Sequence, residues 1–350
     1  MYSSDQATRR TLLRLAAAGA AGGALAAVPS PALARTGAVS GSSRSTDRCR
    51  LPRTLSVLAP NLYPEGVAWD RGRRAFLVSS SVQGTISVVR ADGSITPLVT
   101  PFAQVSVLGL HADARRGQVV AAYSDFFHRR LGLVDVTKPP VNGVGVFDLR
   151  SGAVLRTVPV STGAPIEPRV NDVTVDGHGD IYVTDTEVDT VTRVGRDGEV
   201  LGVIRDERFV TAETGPNGIV HHPGGFLLVG RYSGGRLFRV DRPRSARPQV
   251  SEVRLDRAPD SIDGLALRPD GSVLVVSNGL STAGRDAVLV LRSTDGWRSA
   301  RTASDHSWPI QDPTTAAVTP YGDYVISGGL REILTGVPSP TPGRFHLRRR

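Results

Sequence analysis

Four residues with oxygen-bearing side chains stand at the same place in a repeated phrase of the sequence. They are Glu65, Asn171, Asn217 and Asp263, and each is followed by Gly or Asp and then by an apolar run. Two carboxylates and two amides form an all-oxygen set that suits Ca²⁺, Mg²⁺ or Mn²⁺, whereas a tight structural zinc site takes Cys or His. Taken singly, such residue pairs are ordinary turn formers, so the metal hypothesis depends on the repeat.

The repeated phrase predicts a ring of similar units. Six copies open at residues 65, 108, 171, 217, 263 and 314, and spacings of 43 to 63 residues suit four-stranded propeller blades. Short apolar runs alternate with turn pairs such as Asp92-Gly93, and helical periodicity is absent beyond the N-terminal region. We therefore predict an all-β fold, a six-bladed β-propeller. Since the first strand of each blade lines the central channel, the four oxygen-bearing residues should meet at the channel mouth.

The two ends of the repeat array predict how the ring closes. The strand-like segment Leu55–Leu58 precedes the first copy and would supply the edge strand that a short last blade lacks. We place the propeller at residues 53–335 and a Pro-rich C-terminal tail at 336–350. An insertion, Ser124–Gly143, lengthens the second interval. It is either a loop on one face, where long loops are often functional, or an extended blade edge.

The N-terminal residues predict an export signal. The pair Arg9-Arg10 begins a twin-arginine pattern, and an apolar stretch of 14 residues and a small-residue cleavage site follow it. The apolar stretch is too short to span a membrane. We therefore expect a signal peptide at 1–34, a polar linker at 35–52 and a secreted mature protein.

Composition narrows the range of partners. The formal net charge is +9, but the arginines are scattered except at the extreme C-terminus, and no aromatic residues interleave with them. Nucleic-acid binding is therefore not expected. Cys49 is the sole cysteine, so an intramolecular disulfide and a cysteine metal cluster are excluded. We expect a monomer with a small-molecule substrate and no membrane contact once the signal is removed.

These motifs together resemble the senescence marker protein, gluconolactonase and luciferin-regenerating-enzyme family over about residues 52 to 335. Members of that family hold a divalent cation with a Glu of an E-G motif, Asn residues of N-D and N-G motifs, and an Asp of a D-G motif. Glu65, Asn171, Asn217 and Asp263 match these positions in order. The resemblance implies a six-bladed propeller that hydrolyses lactones, and it implies that Arg169 binds substrate.

Two functional hypotheses follow from the sequence. In the first, the exported protein hydrolyses lactones or related esters with one divalent cation, Ca²⁺ favoured over Mg²⁺, Mn²⁺ or Zn²⁺. Asp263 would then act as general base on water, and Arg169 would orient the substrate. In the alternative, the propeller is a non-catalytic binding module whose central ion is structural.

Overall fold

The computed structural model describes residues 51–160 and 168–350. The predicted signal peptide and most of the predicted linker lie outside the described residues, so export remains a prediction. Within these two ranges, no helix is both long enough and apolar enough to cross a membrane.

Six small sheets account for nearly all of the secondary structure, and two short helices accompany them. Strand β1 (Thr54–Leu58) is followed in blade one by β2 (Val67–Asp70), β3 (Ala75–Ser79), β4 (Ile86–Val89) and β5 (Ile95–Val99), and in blade two by β6 (Ser106–Asp113), β7 (Gln118–Ser124), α1 (Phe126–Arg130), β8 (Asn142–Asp148) and β9 (Val154–Pro159). Blade three contains β10 (Val170–Val175), β11 (Ile181–Asp185), β12 (Thr190–Val194) and β13 (Val200–Arg205), and blade four contains β14 (Pro216–His222), β15 (Phe226–Arg231), β16 (Arg236–Asp241) and β17 (Gln249–Glu252). Blade five contains β18 (Arg254–Leu255), β19 (Leu265–Leu267), β20 (Val273–Ser277), β21 (Ala287–Arg292) and β22 (Ser299–Ser307), and blade six contains β23 (Pro313–Thr319), β24 (Gly322–Ser327), α2 (Leu330–Thr335) and β25 (Arg344–Arg349).

The six sheets form a closed ring, which confirms the predicted six-bladed propeller. The innermost strands β2, β6, β10, β14, β19 and β23 each contact the innermost strand of the next blade, and β23 contacts β2. Six buried hydrophobic clusters lie between neighbouring blades, one at each junction around the ring. Each blade is therefore held by apolar packing on both of its faces, and burial of each Val or Leu contributes about 1.5–3 kcal/mol.

The N-terminal strand closes the last blade, as the sequence predicts. Strand β1 pairs antiparallel with β25, from Thr54 opposite Arg348 to Leu58 opposite Arg344. The structure therefore differs from the predicted C-terminal tail at 336–350, because Arg344–Arg349 is a strand of blade six that also pairs with β24. Phe345 and Leu347 alternate with polar residues and are buried, and this alternation gives the basic segment an apolar face.

The glycine of the repeated phrase lies where neighbouring inner strands approach closely, so it is not a turn residue. A Cβ atom on Gly66 would lie 2.2 Å from the carbonyl oxygen of Leu108, and one on Gly218 would lie 2.6 Å from the carbonyl oxygen of Asp263. In both cases the neighbour is the opening of the next blade. A residue without a side chain at this position therefore allows the inner strands to close around the channel.

We expect Gly66→Ala to lower the melting temperature, because the added methyl group meets backbone that cannot rotate away. Overpacking of this kind costs about 1–3 kcal/mol. Gly202→Ala is the matched control, since a Cβ there meets nothing within 4 Å. Thermal unfolding by circular dichroism in the presence of chelator measures both variants, and equal melting temperatures would contradict the close-approach explanation.

Candidate active site

The structure brings all five residues singled out in the sequence to one cavity at the mouth of the channel. Glu65, Asn171, Asn217, Asp263 and Arg169 line it, and it holds about 510 Å³ of space free of protein atoms, part of which is open to solvent. Glu65, Asn217 and Asp263 are 4–7 % exposed, so their polar groups point into the protein and not into bulk water.

Irregular backbone at the start of the inner strands places these side chains. The antiparallel register shifts at Asn171-Asp172 in β10 and at Asn217-Gly218 in β14, so neither pair has a regular cross-strand partner. Such a bulge redirects a side chain out of the sheet. Glu65 lies just before β2, where its N–H and that of Gly66 donate to Ser79 Oγ at 3.3 and 2.7 Å.

Three oxygens of this set have no hydrogen-bond partner among the described residues. They are Glu65 Oε2, Asn171 Oδ1 and Asn217 Oδ1, one from each of three blades, and all three are buried. Burying an acceptor without a partner costs about 1–3 kcal/mol. Asn217 Nδ2 donates to Asp263 Oδ1 at 2.9 Å, and this bond leaves Asn217 Oδ1 free to face the cavity.

The chemistry of these donors fits a hard divalent cation. Carboxylate and amide oxygens are the ligands that Ca²⁺ takes, and three such buried oxygens have no hydrogen-bond donor here among the described residues. The described part of the chain contains no cluster of three or more His, Cys, Asp or Glu residues arranged for a metal. The set at the channel mouth has two carboxylates and two amides, so this finding does not conflict with it.

Asp263 is held by a buried chain of hydrogen bonds that the sequence reasoning missed. Asn278 Nδ2 donates to Asp263 Oδ2 at 2.5 Å and to the carbonyl of Pro313 at 2.6 Å. The Tyr232 hydroxyl donates to Asn278 Oδ1 at 2.6 Å. With Asn217 on its other oxygen, Asp263 has both oxygens fixed, so its carboxylate has a defined orientation in the cavity.

The carboxyl groups at and beneath this site have raised pKa values. Burial raises the pKa of Glu65 well above its usual range, and repulsion from Asp263 and Asp172 adds to the effect. Burial also raises the pKa of Asp263 to about 7, although the hydrogen bonds from Asn278 and Asn217 oppose the shift. Burial raises the pKa of Asp172, beneath the site, to about 7. A bound dication would lower these pKa values, because its positive charge favours the ionised carboxylates.

Arg169 lines the cavity in a fixed orientation. Its Nη2 lies 2.6 Å from Glu187 Oε1, its Nε donates to Thr186 Oγ1 at 2.7 Å, and its guanidinium lies 4.4 Å from the ring centre of Phe126. Asp185, which is 1 % exposed, accepts the backbone N–H of Arg169 at 3.0 Å. The positive charge is therefore positioned before any ligand enters.

Thr214, Tyr232 and Ser281 add polar groups to the cavity, and the other lining residues are apolar. Two short helices supply most of this apolar part. Phe126 and Phe127 of α1 line the cavity together with Leu330 and Leu334 of α2. The insertion Ser124–Gly143 therefore contributes to the channel mouth and is not only an extended blade edge. Both helices have six residues or fewer, which is too short for helical periodicity to show in the sequence.

The fold and the site together define a six-bladed β-propeller with a cavity of carboxylate and amide oxygens at its channel mouth. No protein-family model and no curated protein sequence matches the chain.

Solved structures do share the fold, which confirms the likeness to gluconolactonase-type propellers at the level of architecture. The Malassezia sympodialis allergen Mala s 1 is 18 % identical, with a TM-score of 0.67 over 85 % of this chain and 96 % of its own. A gluconolactonase from Xanthomonas campestris is 17 % identical, with a TM-score of 0.55 over 85 % and 90 %. A luciferin-regenerating enzyme is 13 % identical, with a TM-score of 0.57 over 84 % and 94 %.

Proposed function

We propose that the protein is a divalent-metal-dependent hydrolase of lactones or related esters. The observation that carries the proposal is the set of three unpartnered buried oxygens, which opens on the same cavity as the oriented carboxylate of Asp263. Two of the propellers with the same fold are named gluconolactonase and luciferin-regenerating enzyme, which supports a hydrolytic role.

Glu65, Asn171, Asn217 and Asp263 would hold the cation. When bound, a divalent cation polarises the substrate carbonyl and favours the negative charge that develops on its oxygen. Ca²⁺ is favoured over Mg²⁺, because Ca²⁺ accepts several protein oxygens in flexible geometry whereas Mg²⁺ retains most of its water.

Asp263 is the general base in this proposal. Its carboxylate accepts a proton from the attacking water, whose oxygen forms the new bond to the carbonyl carbon. The ring C–O bond then breaks, and the proton passes from Asp263 to the leaving alkoxide, so that the product is a hydroxy acid. Asn217 and Asn278 hold the carboxylate in place during both transfers. Arg169 contributes a fixed positive charge that orients the ester group.

Hydrolysis of a panel of lactones with and without chelator tests the function. We expect turnover with at least one of Ca²⁺, Mg²⁺, Mn²⁺ and Zn²⁺, loss of turnover after complete chelation, and recovery when the cation is restored. Activity that survives removal of all metal would contradict the metal-dependent mechanism. If no lactone or ester is hydrolysed with any of the four cations, the binding-module alternative is favoured.

Secretion by the twin-arginine route, a monomeric state and the absence of nucleic-acid partners accompany this proposal as predictions. The cavity at the channel mouth supports a small-molecule substrate, since a few polar groups converge there beside an apolar lining.

A further inference from the structure

Six hydrocarbon side chains line the same cavity as the oxygen-bearing residues, and we call them the apolar wall. They are Leu108, Phe126, Phe127, Leu280, Leu330 and Leu334. The repeated blade does not account for this wall, because four of the six residues belong to α1 and α2. The two helices therefore contribute most of the hydrocarbon that lines this cavity.

The apolar wall is packed before any ligand binds. Leu108, Phe127 and Leu330 are 1–7 % exposed and form the centre of one hydrophobic cluster, against which the other three wall residues pack. The guanidinium of Arg130 in α1 donates to the carbonyl of Leu334 in α2, so a hydrogen bond joins the two helices directly. Binding of a ligand that covers such a preformed apolar surface with hydrocarbon has a favourable free energy, because apolar area leaves water.

Two of the polar side chains that line the cavity with the wall, Tyr232 and Arg169, already have hydrogen-bond partners. The Tyr232 hydroxyl donates to Asn278 Oδ1 at 2.6 Å and accepts the Ser281 N–H at 3.0 Å. Arg169 is bound to Glu187 and Thr186. A polyhydroxylated lactone would bury several hydroxyl groups, each of which loses its hydrogen bonds to water and finds only hydrocarbon on the apolar wall.

We propose that the substrates are lactones or esters that carry a hydrophobic group, an alkyl chain or an aromatic ring, and not polyhydroxylated sugar lactones. The ester group lies at the oxygen-bearing residues, and the hydrocarbon covers the apolar wall. This inference rests on the proposed hydrolytic function for its chemistry, and on the cavity alone for the preference for hydrocarbon.

Two parallel series test the inference. In the first, kcat/KM is measured for γ-lactones whose alkyl side chain grows by one methylene at a time, and for glucono-1,5-lactone. In the second, Kd is measured by calorimetry for the matching γ-alkyl lactams, which have the same shape but resist hydrolysis. We expect kcat/KM to rise and Kd to fall about fourfold per methylene until the cavity is filled, because each methylene leaves water for the apolar wall.

Variants connect the chain-length effect to the apolar wall. Leu334→Ser and Leu280→Ser remove hydrocarbon from partly buried positions, so each should flatten the chain-length dependence of lactam binding while the protein remains folded. Leu133→Ser is the matched control, because Leu133 lies in the same insertion as Phe126 and Phe127 but is 49 % exposed. It should leave the chain-length dependence unchanged.

The outcomes separate this inference from the function on which it rests. Lactam binding that does not strengthen with chain length, or glucono-1,5-lactone hydrolysed as well as the alkyl lactones, would overturn the hydrophobic preference. A chain-length dependence that survives in both variants would overturn the role of the apolar wall. Lactam binding that strengthens as expected, with no lactone ever hydrolysed, would support the hydrophobic site and reject the hydrolase.

Discussion

Asp263→Asn is expected to lower kcat/KM for lactone hydrolysis by about 10²–10⁴-fold at saturating cation, because an amide keeps a ligand oxygen but cannot accept the proton of water. Saturating cation is essential, since it compensates for weaker metal binding and isolates the loss of the base. Steady-state kinetics over a range of cation concentrations measures both effects.

The contacts of Asp263 add a structural consequence to this substitution. Both carboxylate oxygens accept N–H groups, one from Asn217 and one from Asn278, so an Asn at 263 places its own NH₂ against one of these donors. The resulting mismatch costs about 1–3 kcal/mol of stability. Kinetics must therefore be measured well below the melting temperature of the variant.

Asp197→Asn is the control for Asp263→Asn. Asp197 lies in the turn between β12 and β13 with its side chain 77 % exposed, so its replacement should change neither kcat/KM nor the melting temperature. A folded Asp263→Asn protein that retains activity within tenfold of the wild type at saturating cation would show that Asp263 is not the base.

The period of the sequence was sufficient to predict the ring and the oxygen-bearing set. Every blade repeats the same strand order, so residues at equal positions in the phrase occupy equal positions around the channel. Glu65, Asn171, Asn217 and Asp263 thus lie together although nearly 200 residues separate the first from the last. The resemblance added Arg169, and the structure places that residue in the same cavity.

Features that depend on contacts between distant segments could not be read in the same way. The helices α1 and α2 are too short to form alone, since isolated helices of fewer than about 12 residues are marginal in water, and they depend on the cluster that they bury. The basic composition of β25 makes this segment resemble a polar tail in the sequence, although Phe345 and Leu347 alternate with polar residues as in a strand.

A signal for Asn278 was present in the repeated phrase. The second strand of several copies has a hydroxyl-bearing residue at or just before its end, and in the structure these residues hydrogen-bond to the backbone of an inner strand. Ser79 Oγ accepts from the Gly66 N–H at 2.7 Å, and Thr184 Oγ1 donates to the Asn217 carbonyl at 2.7 Å. Asn278 follows Ser277 at the corresponding end, where an amide side chain is long enough to reach Asp263.

Cation binding is expected to raise the melting temperature, and chelation should reverse the rise. A cation at one hundred times its Kd stabilises the folded state by about 2.7 kcal/mol, provided that the unfolded chain does not bind it. For a chain of this size, that corresponds to a rise of roughly 5 °C. The four proposed ligand residues come from blades one, three, four and five, so the cation would join separate parts of the ring.

Glu65→Gln distinguishes two electrostatic effects at the site: the repulsion between buried carboxyl groups in the absence of cation, and their attraction for the cation when it is bound. Without cation, the substitution removes one of three buried carboxyl groups that disfavour one another's ionisation, so the cation-free variant should melt at the same temperature as the wild type or higher. With cation, the variant has lost one negative charge at the site, so its Kd for the cation should rise and the cation-induced shift in melting temperature should shrink.

Glu207→Gln, at an exposed position, is the control and should behave as the wild type does. Differential scanning calorimetry with Ca²⁺, Mg²⁺, Mn²⁺ or Zn²⁺, together with elemental analysis of the purified protein, measures both effects. If none of the four cations shifts the melting temperature and no metal co-purifies, then the unpartnered oxygens of Glu65, Asn171 and Asn217 do not form a metal site.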